Sequence, residues 1–461
     1  MTRVDLGKYV EKLGRQACLA CRGSVVRVTG LTVESKGPPV GIGRLCEIRL
    51  ADGRRVPAEV VGFNHELRIL IPLEPVEGIA PNDAVVARTE PRRLALGDAV
   101  LGRVLDGLGR PIDGKGPVAG DDWRAIDASG PPPLSRRPIT EPLAFGIRVF
   151  DGLLTCGKGQ RLGIFAGSGV GKSTLLGEIA RASDADVNVL ALVGERGREV
   201  RHFIEESLGP EGLARSVVVV ATSDAAAIQR VKAAQVALTV AEHFRDRGRN
   251  VLFMMDSATR LAQAQREIGL AAGEPPTTKG YCPSVFAMLP RITERLGRSA
   301  SGSITGIITI LVEGDDMADP VADCMRSLLD GHVVLSRRLA ELGHYPAVDI
   351  LQSVSRLMTT VASPEHQAGA QRLRAIYATY QGAEDLISIG ALAPGSNRRI
   401  DTAVSLIDRV NGFLVQPLGV RSPLQETVGR LREITKAWTF LMPDDDAAGA
   451  DAPAAADGGA A

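Results

Sequence analysis

The feature that most constrains this chain is a glycine-rich segment, Ala166-Gly-Ser-Gly-Val-Gly-Lys-Ser173. It follows an apolar run, Arg161–Phe165, that is typical of a buried strand, and it opens a helical pattern over Lys172–Arg181. Glycines in such a turn let successive backbone N–H groups curl around phosphate oxygens, and the helix N-terminus adds the positive end of its dipole. The segment therefore predicts a phosphate-binding loop inside a strand–loop–helix unit.

Each part of this loop has a predicted role in holding ATP and Mg²⁺. Lys172 should reach the β and γ phosphates, where its charge also assists catalysis, and the Ser173 hydroxyl should bind Mg²⁺. The predicted nucleotide-binding residues of the loop are Gly167, Ser168, Gly169, Val170, Gly171, Lys172, Ser173 and Thr174.

Two carboxylates follow other apolar runs of the same kind. Asp256 ends the run Val251–Met255, and Glu195 comes just after Asn188–Val193. Because ligands bind at the carboxyl edge of a parallel sheet, both side chains are expected beside the phosphate-binding loop. There Asp256 can hold Mg²⁺, and Glu195 can orient the water that attacks the γ-phosphorus.

The pattern of apolar runs and turn residues changes several times along the chain. Short β-type runs broken by glycine, proline and asparagine predict a small closed barrel, whereas alternating strands and helices predict a parallel sheet covered on both faces. The first residues have an amphipathic pattern that fits either a short packed helix or a docking helix. The predicted divisions are an N-terminal partner-binding helix (1–23), a β-barrel domain (24–93), a connector (94–146), an α/β ATPase domain (147–363), a helical C-terminal domain (364–443) and a disordered tail (444–461).

Composition argues against several other classes of protein. Lysine plus arginine and aspartate plus glutamate both number 54, and aromatic residues make up 4% of the chain. A balanced charge does not suit a surface that neutralises the phosphates of nucleic acid, and so few aromatic residues do not suit a surface on which bases stack. Met1–Val10 lacks the apolar core of a secretory signal, and the apolar runs are too short to cross a bilayer. Cys18 and Cys21 form a single C-x-x-C motif, without the second cysteine pair or histidine cluster that would complete a zinc site. A cytoplasmic protein is expected.

Longer motifs match a known family. The phosphate-binding loop, Gly194-Glu-Arg-Gly-Arg-Glu-Val200, Met255-Asp-Ser-Ala-Thr-Arg260 and Gly280-Tyr-Cys-Pro-Ser-Val-Phe286 resemble the type III secretion ATPases, with Cys282 where that family usually has proline. The resemblance covers about residues 24–440 and extends to the catalytic subunit of rotary ATP synthases. It implies an α/β fold: a RecA-like P-loop NTPase core with an N-terminal small β-barrel and a C-terminal helical domain, assembled as a ring of six.

The resemblance also implies roles for individual residues. Glu195 matches the family's catalytic glutamate, and Arg196 matches the arginine beside it that faces the phosphates. Asp256 matches the magnesium-binding acid, and Tyr345 matches the aromatic residue that packs on adenine. Arg356 matches the finger that each subunit presents to the neighbouring site, where such an arginine stabilises charge on the γ-phosphate.

The same resemblance implies partners and a machine. Phe63-Asn64, Pro72–Gly78 and Ser168–Val170 look more like the flagellar export ATPases than the injectisome ATPases. The expected partners are five further copies in a homohexamer, a regulatory stator-like protein at the N-terminal helix, a central stalk-like protein, the export gate and chaperone–substrate complexes. No nucleic acid is expected. The protein should lie at the inner face of the cytoplasmic membrane, through its partners only.

Four other functions stay open from the sequence. An injectisome ATPase shares most of the motifs. A rotary synthase catalytic subunit usually has an acidic loop of the Asp-Glu-Leu-Ser-Glu-Glu-Asp type, and the comparable segment here, Asp385–Gly395, lacks that run. A hexameric RNA translocase would need aromatic residues on the barrel, which has only Phe63. An ATP-gated scaffold would bind ATP without needing Glu195 for hydrolysis.

Overall fold

A computed structural model describes residues 21–88, 92–312, 316–393 and 395–441, with side chains up to Trp438. The expected N-terminal helix (1–23) lies outside the described residues except for its last three positions. The expected disordered tail (444–461) lies wholly outside them.

The first part of the described chain is a closed six-stranded barrel. Its strands are β1 (Arg22–Thr29), β2 (Thr32–Lys36), β3 (Leu45–Arg49), β4 (Arg55–Asn64), β5 (Leu67–Pro72) and β6 (Ala84–Ala87). They close in the order β1-β2-β5-β4-β3-β6. Alternate residues of β4 are buried, so one face of each strand fills the barrel, where Val33, Ile48, Val60, Leu70 and Val85 are completely enclosed. The predicted barrel is confirmed.

Short strands follow in the connector. They are β7 (Arg93–Leu96), β8 (Val104–Asp106), β9 (Asp122–Ala125), β10 (Pro142–Leu143) and β11 (Cys156–Gly157). β7 and β9 form an antiparallel ribbon, and so do β10 and β11. Two short 3₁₀ turns, Asp98–Val100 and Pro133–Ser135, lie between them.

The central domain is built on one large sheet. Its further strands are β12 (Arg161–Ala166), β13 (Val187–Val193), β14 (Ser216–Ala221), β15 (Asn250–Asp256), β16 (Gly297–Arg298), β17 (Ser303–Leu311), β18 (Gly331–Leu335) and β19 (Val348–Ser355). The order is β19-β18-β12-β17-β15-β13-β14-β8, with β16 beside β17. From β18 to β8 the neighbours are parallel, whereas β19 runs antiparallel to β18. Every residue of β13 and β14 is buried, as expected where helices cover both faces.

Helices account for most of the remaining chain. They are α1 (Arg148–Leu153), α2 (Lys172–Ala182), α3 (Gly197–His202), α4 (Gly209–Ala214), α5 (Ala227–Asp246), α6 (Ala258–Ala271), α7 (Pro283–Thr293), α8 (Pro320–Leu328), α9 (Arg337–Glu341), α10 (Met358–Val361), α11 (Pro364–Ser388), α12 (Arg398–Leu414) and α13 (Leu424–Thr435). A π-helix, Phe203–Leu208, separates α3 from α4, and 3₁₀ turns cover Thr278–Gly280 and Lys436–Leu441. Two apolar clusters, one containing α5 and α6 and the other α1 and α2, cover the sheet.

The last three helices form the C-terminal helical region that the sequence predicts. The side chains of Ser363 and Asn397 cap α11 and α12 by accepting backbone N–H bonds, and such caps fix where a helix begins. Trp438 is completely buried in the same apolar cluster as α1. The predicted fold class, an α/β core between a barrel and a helical region, is therefore confirmed.

Two buried ion pairs lie where the central domain contacts the barrel and the connector. Lys232 Nζ on α5 lies 2.9 Å from Glu59 Oε2 of the barrel. Arg295 is bound by both carboxylate oxygens of Glu242, at 2.8 and 2.7 Å, and its Nη1 donates to the carbonyl of Ile126 in the connector.

Across the described part of the chain, no helix combines the length and apolar character that a membrane crossing needs.

Candidate active site

The phosphate-binding loop connects the end of β12 to the start of α2. Gly169 and Gly171 have φ values of 82° and 89°, in the left-handed region that favours glycine. A Cβ atom at Gly171 would also lie 3.4 Å from the Tyr345 ring, so this position is constrained twice. Ser168, Gly169, Ser173 and Thr174 are exposed, whereas Gly167 and Val170 are buried. The loop is therefore anchored at Gly167 and Val170, and its exposed residues leave it open to an approaching phosphate.

Three charged side chains meet beside this loop, because β12, β13 and β15 all end at the same edge of the sheet. Lys172 Nζ forms an ion pair with Asp256 Oδ1 and lies 3.8 Å from Glu195 Oε1. The side chains are mostly enclosed, with 11% of Lys172, 18% of Glu195 and 5% of Asp256 exposed. The structure thus brings together the residues that the sequence placed after three different strands.

The surroundings of Glu195 change its acidity. Burial, together with the negative charge of Asp256, raises the pKa of the Glu195 carboxyl to about 7, although Lys172 acts in the opposite direction. Glu199 contributes to the same rise. A carboxyl group whose pKa lies near neutral pH is well matched to accepting or orienting a proton of water.

Asp256 is held by a residue that no sequence motif identifies. The Thr309 hydroxyl, on the neighbouring strand β17, lies 2.7 Å from Asp256 Oδ1 and is completely buried. This contact fixes the carboxylate at the sheet edge. The Asp256 carboxylate and the Ser173 hydroxyl are hard oxygen donors of the kind that Mg²⁺ prefers. Mg²⁺ takes its other ligands from water and phosphate. The donor set therefore fits the metal.

A cavity of about 480 Å³ lies next to the loop, within the size range of small-molecule sites. Tyr345, 42% exposed, lines one side of it, and the chain that follows α12 lines the other. The remaining walls are mostly apolar, with Ile147, Val170, Leu175 and Leu335 among them. The flat base of a nucleotide fits such a space, and the phosphates of the same nucleotide would then be directed into the adjoining loop.

Arg196 and Arg356 do not join this cluster. The Arg196 side chain is 73% exposed, and its Nη1 donates to Glu199 Oε1 at 3.0 Å. Arg356 is exposed and follows the last residue of β19, which pairs with Gly331 at the start of β18. The loop lies at the other end of β18, beside Leu335. Arg356 therefore lies at the opposite edge of the sheet from the site of its own chain.

Two further side chains contribute to the site although the sequence predicted no role for them. Gln416 accepts a bond from the Arg148 N–H and donates to the Gly146 carbonyl, which fixes the segment that closes the cavity. Arg260 packs its side chain against Gly194, just before Glu195, and its Nη1 donates to Gln263. Arg260 is visible in a matched motif, but Gln416 has no local signal because its contacts lie about 270 residues away.

Comparison with known proteins agrees with this architecture. The ATP synthase alpha/beta family models match twice, with the beta-barrel domain at residues 25–89 and the nucleotide-binding domain at residues 146–355. The T3SS EscN ATPase C-terminal domain matches residues 362–433. These three matches cover the barrel, the sheet and the terminal helices in turn.

Individual relatives are similar over nearly the whole chain. The flagellum-specific ATP synthase of Bacillus subtilis (strain 168) is 52% identical over 415 residues, 90% of this chain and 95% of the relative. The type 3 secretion system ATPase of Xanthomonas euvesicatoria is 50% identical over 414 residues, 90% of this chain and 94% of the relative. The assembled ATPase EscN, solved with its central stalk EscO from the enteropathogenic E. coli type III secretion system, superimposes with a TM-score of 0.83 at 42% identity, covering 90% of this chain and all of that one.

Proposed function

This chain belongs to the ATP synthase alpha/beta family and, within it, to the type III export ATPases, and we propose that it hydrolyses ATP to drive flagellar protein export. The match of its last helices to an export-ATPase domain favours this function over a rotary synthase subunit. Glu195, with its neutral-range pKa, favours hydrolysis over passive ATP binding.

One observation carries the proposed mechanism: Lys172, Glu195 and Asp256 gather at one edge of the sheet, while Arg356 lies at the other. Within one chain, Arg356 has no route to the site. In a closed ring of identical subunits the same two surfaces face each other at every interface. The arginine of one subunit then completes the site of the next, which is the arrangement proposed for a homohexamer.

Each residue has a separate task in this site. The loop backbone from Gly167 to Gly171 and the Lys172 ammonium bind the phosphates, and Ser173 and Asp256 would hold Mg²⁺, which supplies charge neutralisation at the β and γ phosphates. The Glu195 carboxylate accepts a hydrogen bond from water and aligns it with the γ-phosphorus. Tyr345 packs on the base.

Arg196 and Arg356 both act late in this scheme. Arg196, held by Glu199 at the surface, must leave that carboxylate to reach the phosphates. Arg356 arrives from the neighbouring subunit and stabilises charge on the γ-phosphate, an effect of about 10³–10⁵ in rate where such fingers have been measured.

The proposed setting is cytoplasmic, at the inner face of the membrane and attached through partners. A stalk-like protein would occupy the centre of the ring, as the EscO stalk does with EscN. A stator-like protein would bind residues 1–23, and the export gate and chaperone–substrate complexes would meet the helical C-terminal region. Hydrolysis would then change how that region holds its cargo.

The decisive experiment mixes two inactive variants, Glu195→Gln and Arg356→Ala, and measures ATPase activity against protein concentration. Each variant alone should be inactive. In randomly mixed rings at equal amounts, about one interface in four pairs an intact Glu195 with an intact Arg356, so up to about a quarter of wild-type activity should return. Arg409→Ala, an exposed arginine of α12, is the matched control and should behave as wild type.

Two results would contradict the shared site. Activity that survives Arg356→Ala, or a mixture that stays as inactive as its components, would mean that the arginine does not complete a neighbouring site. Specific activity that does not change with concentration would argue against a ring assembled from separate chains.

An injectisome ATPase is the second candidate, because the two kinds of relative are almost equally similar, at 52% and 50% identity. Expression of the chain in a strain that lacks its flagellar export ATPase separates the two. Restored motility is the expected result. Restored effector secretion in an injectisome mutant, without restored motility, would instead support the injectisome.

A further inference from the structure

A second large cavity, of about 1280 Å³, shares no lining residue with the nucleotide cavity and lies where the barrel meets the connector. Strands β3, β4 and β6 form one wall, and the ribbon of β7 and β9 forms another. We call it the arginine groove because six arginines line it: Arg49, Arg55, Arg88, Arg92, Arg93 and Arg110. A chain whose total charge is zero therefore concentrates positive charge at one place.

The carboxylates in the groove do not balance these arginines. Glu47, almost fully buried, is shared by Arg49 at 3.0 Å, Arg88 at 3.1 Å and Arg55 at 3.8 Å. One negative charge thus serves three guanidinium groups, each with donors left over. These three arginine side chains are between 42% and 66% exposed, so their free donors face the groove.

Two more arginines have no carboxylate partner among the described residues. The Arg92 Nη2 donates to the carbonyl of Leu108 at 2.7 Å, and Arg93 is exposed on β7. Arg110 is paired with Glu74 at 2.8 Å and with Asp106 at 2.7 Å. Six arginines against the carboxylates of Glu47, Glu74 and Asp106 leave an excess of three positive charges. Glu90 lies outside the described residues, and an excess of two would remain even with its carboxylate in the groove.

An exposed tryptophan completes the surface. Trp123 on β9 is 62% exposed and lines the groove together with the arginines. In the ribbon, Ala95 pairs with Trp123 and Arg93 with Ala125, which makes Arg93 and Trp123 diagonal neighbours on one face. Tryptophan offers a large apolar contact area, and tryptophan and arginine are both enriched among the residues that contribute most to protein–protein binding.

We propose that the arginine groove binds an acidic segment of a partner polypeptide, with carboxylates on the guanidinium groups and an apolar side chain on Trp123. Guanidinium forks match carboxylates in geometry. The groove is concave, so a flat bilayer could not reach its arginines together. A single aromatic residue offers little to a run of nucleobases, and the volume exceeds what one small ligand fills.

The tryptophans of the chain make this site directly measurable. There are two, and Trp438 is completely buried in the C-terminal region, so ligand-dependent changes in emission report Trp123. Full-length protein is titrated with a short synthetic peptide of alternating glutamate and leucine. We expect a saturable blue shift of the emission, lost in Trp123→Phe, and no shift with the matching lysine–leucine peptide.

Charge reversals then locate the binding. The double variant Arg55→Glu/Arg93→Glu changes two exposed side chains at different walls and should weaken peptide binding by about tenfold or more. Arg137→Glu, an exposed connector arginine outside the groove, is the matched control and should leave binding unchanged. Basal ATPase activity should stay the same in both, because neither touches the nucleotide site.

Four outcomes would overturn the proposal. The first is that the acidic peptide does not shift the tryptophan emission, and the second is that Arg137→Glu weakens peptide binding as much as the double variant does. The third is that oligothymidylate or phosphatidylglycerol vesicles bind more tightly than the peptide. The fourth is that peptide binding is lost when the chain assembles. The last outcome would assign the groove to contacts between subunits. Since the ATPase assay is separate, failure here leaves the proposed hydrolysis untouched.

Discussion

Replacing Glu242 by glutamine should destabilise the central domain far more than the same change at Glu384. Both glutamates bind an arginine at nearly the same distance, 2.7 Å for Glu242 with Arg295 and 2.9 Å for Glu384 with Arg338. They differ in burial: the side chains of the first pair are 6% and 4% exposed, and those of the second 41% and 68%.

The magnitude follows from that difference. Loss of the Glu242 charge leaves the Arg295 guanidinium buried without its counter-charge, a loss of about 3–5 kcal/mol for pairs of this kind. Loss of the exposed pair should change stability by about 0–1 kcal/mol. Since a domain of this size shifts by about 2–4 °C per kcal/mol, we expect a midpoint about 6–20 °C lower for Glu242→Gln and only a few degrees lower at most for Glu384→Gln.

Thermal unfolding followed by circular dichroism, at one scan rate and one protein concentration, compares the variants with wild type. Adding Arg295→Met to Glu242→Gln should recover part of the loss, because the uncompensated charge is then gone. Equal midpoints for the two single variants would refute the reasoning, since it attributes the whole difference to burial.

Three further predictions concern the site. Because the pKa of Glu195 is about 7 and its carboxylate is the active form, kcat/KM should rise with pH through about 7 and level off above it; a pH–rate profile checks this. Thr309→Val removes the hydroxyl 2.7 Å from Asp256, a bond to a charged group worth about 1.5–3 kcal/mol, so kcat/KM at limiting Mg²⁺ should fall about ten- to a hundredfold, while Thr309→Ser should stay near wild type. Tyr345→Ala should weaken ATP binding by about five- to a hundredfold through lost stacking, and Tyr345→Phe should preserve it, as measured with a fluorescent nucleotide.

Each of these has a result that would contradict it. A flat pH profile would mean that Glu195 is not the titrating group in the free enzyme. Equal activity of the valine and serine variants at Thr309 would show that the hydroxyl does not position Asp256. If Tyr345→Phe lost as much affinity as Tyr345→Ala, the phenolic oxygen rather than the ring would be the contact.

The sequence predicts the fold class because the phosphate-binding loop and the apolar runs are local signals. It did not predict that β8 joins the large sheet. Val104–Asp106 is only three residues long and sits among glycines, and it becomes a strand because β14 lies beside it. Strand β2 also has little local signal: four of the five residues of Thr32–Lys36 are polar, and the segment is recognised as a strand only from its partners in the barrel.

The candidate site divides in the same way. Lys172, Glu195 and Asp256 each follow an apolar run, and the geometry of a parallel sheet then brings them together. Thr309 has no such signal, because it lies inside the apolar run of β17 and its role comes from the register of that strand against β15. The pairing of Arg196 with Glu199 was also unforeseen, since it depends on side-chain rotamers at the surface.

The direction of β19 gives the proposed ring a structural reason. β19 starts near Tyr345, at the nucleotide cavity of its own chain, and ends just before Arg356, at the opposite edge, because it runs antiparallel to β18. A parallel strand would have returned Arg356 to its own site. Eight extended residues span about 27 Å, well beyond the reach of one arginine side chain, so Arg356 cannot reach the nucleotide cavity of its own chain. If Arg356 completes the neighbouring site as proposed, one strand of the sheet joins the base of one nucleotide to the γ-phosphate of the next. Adjacent sites in the ring are then mechanically connected through β19 itself.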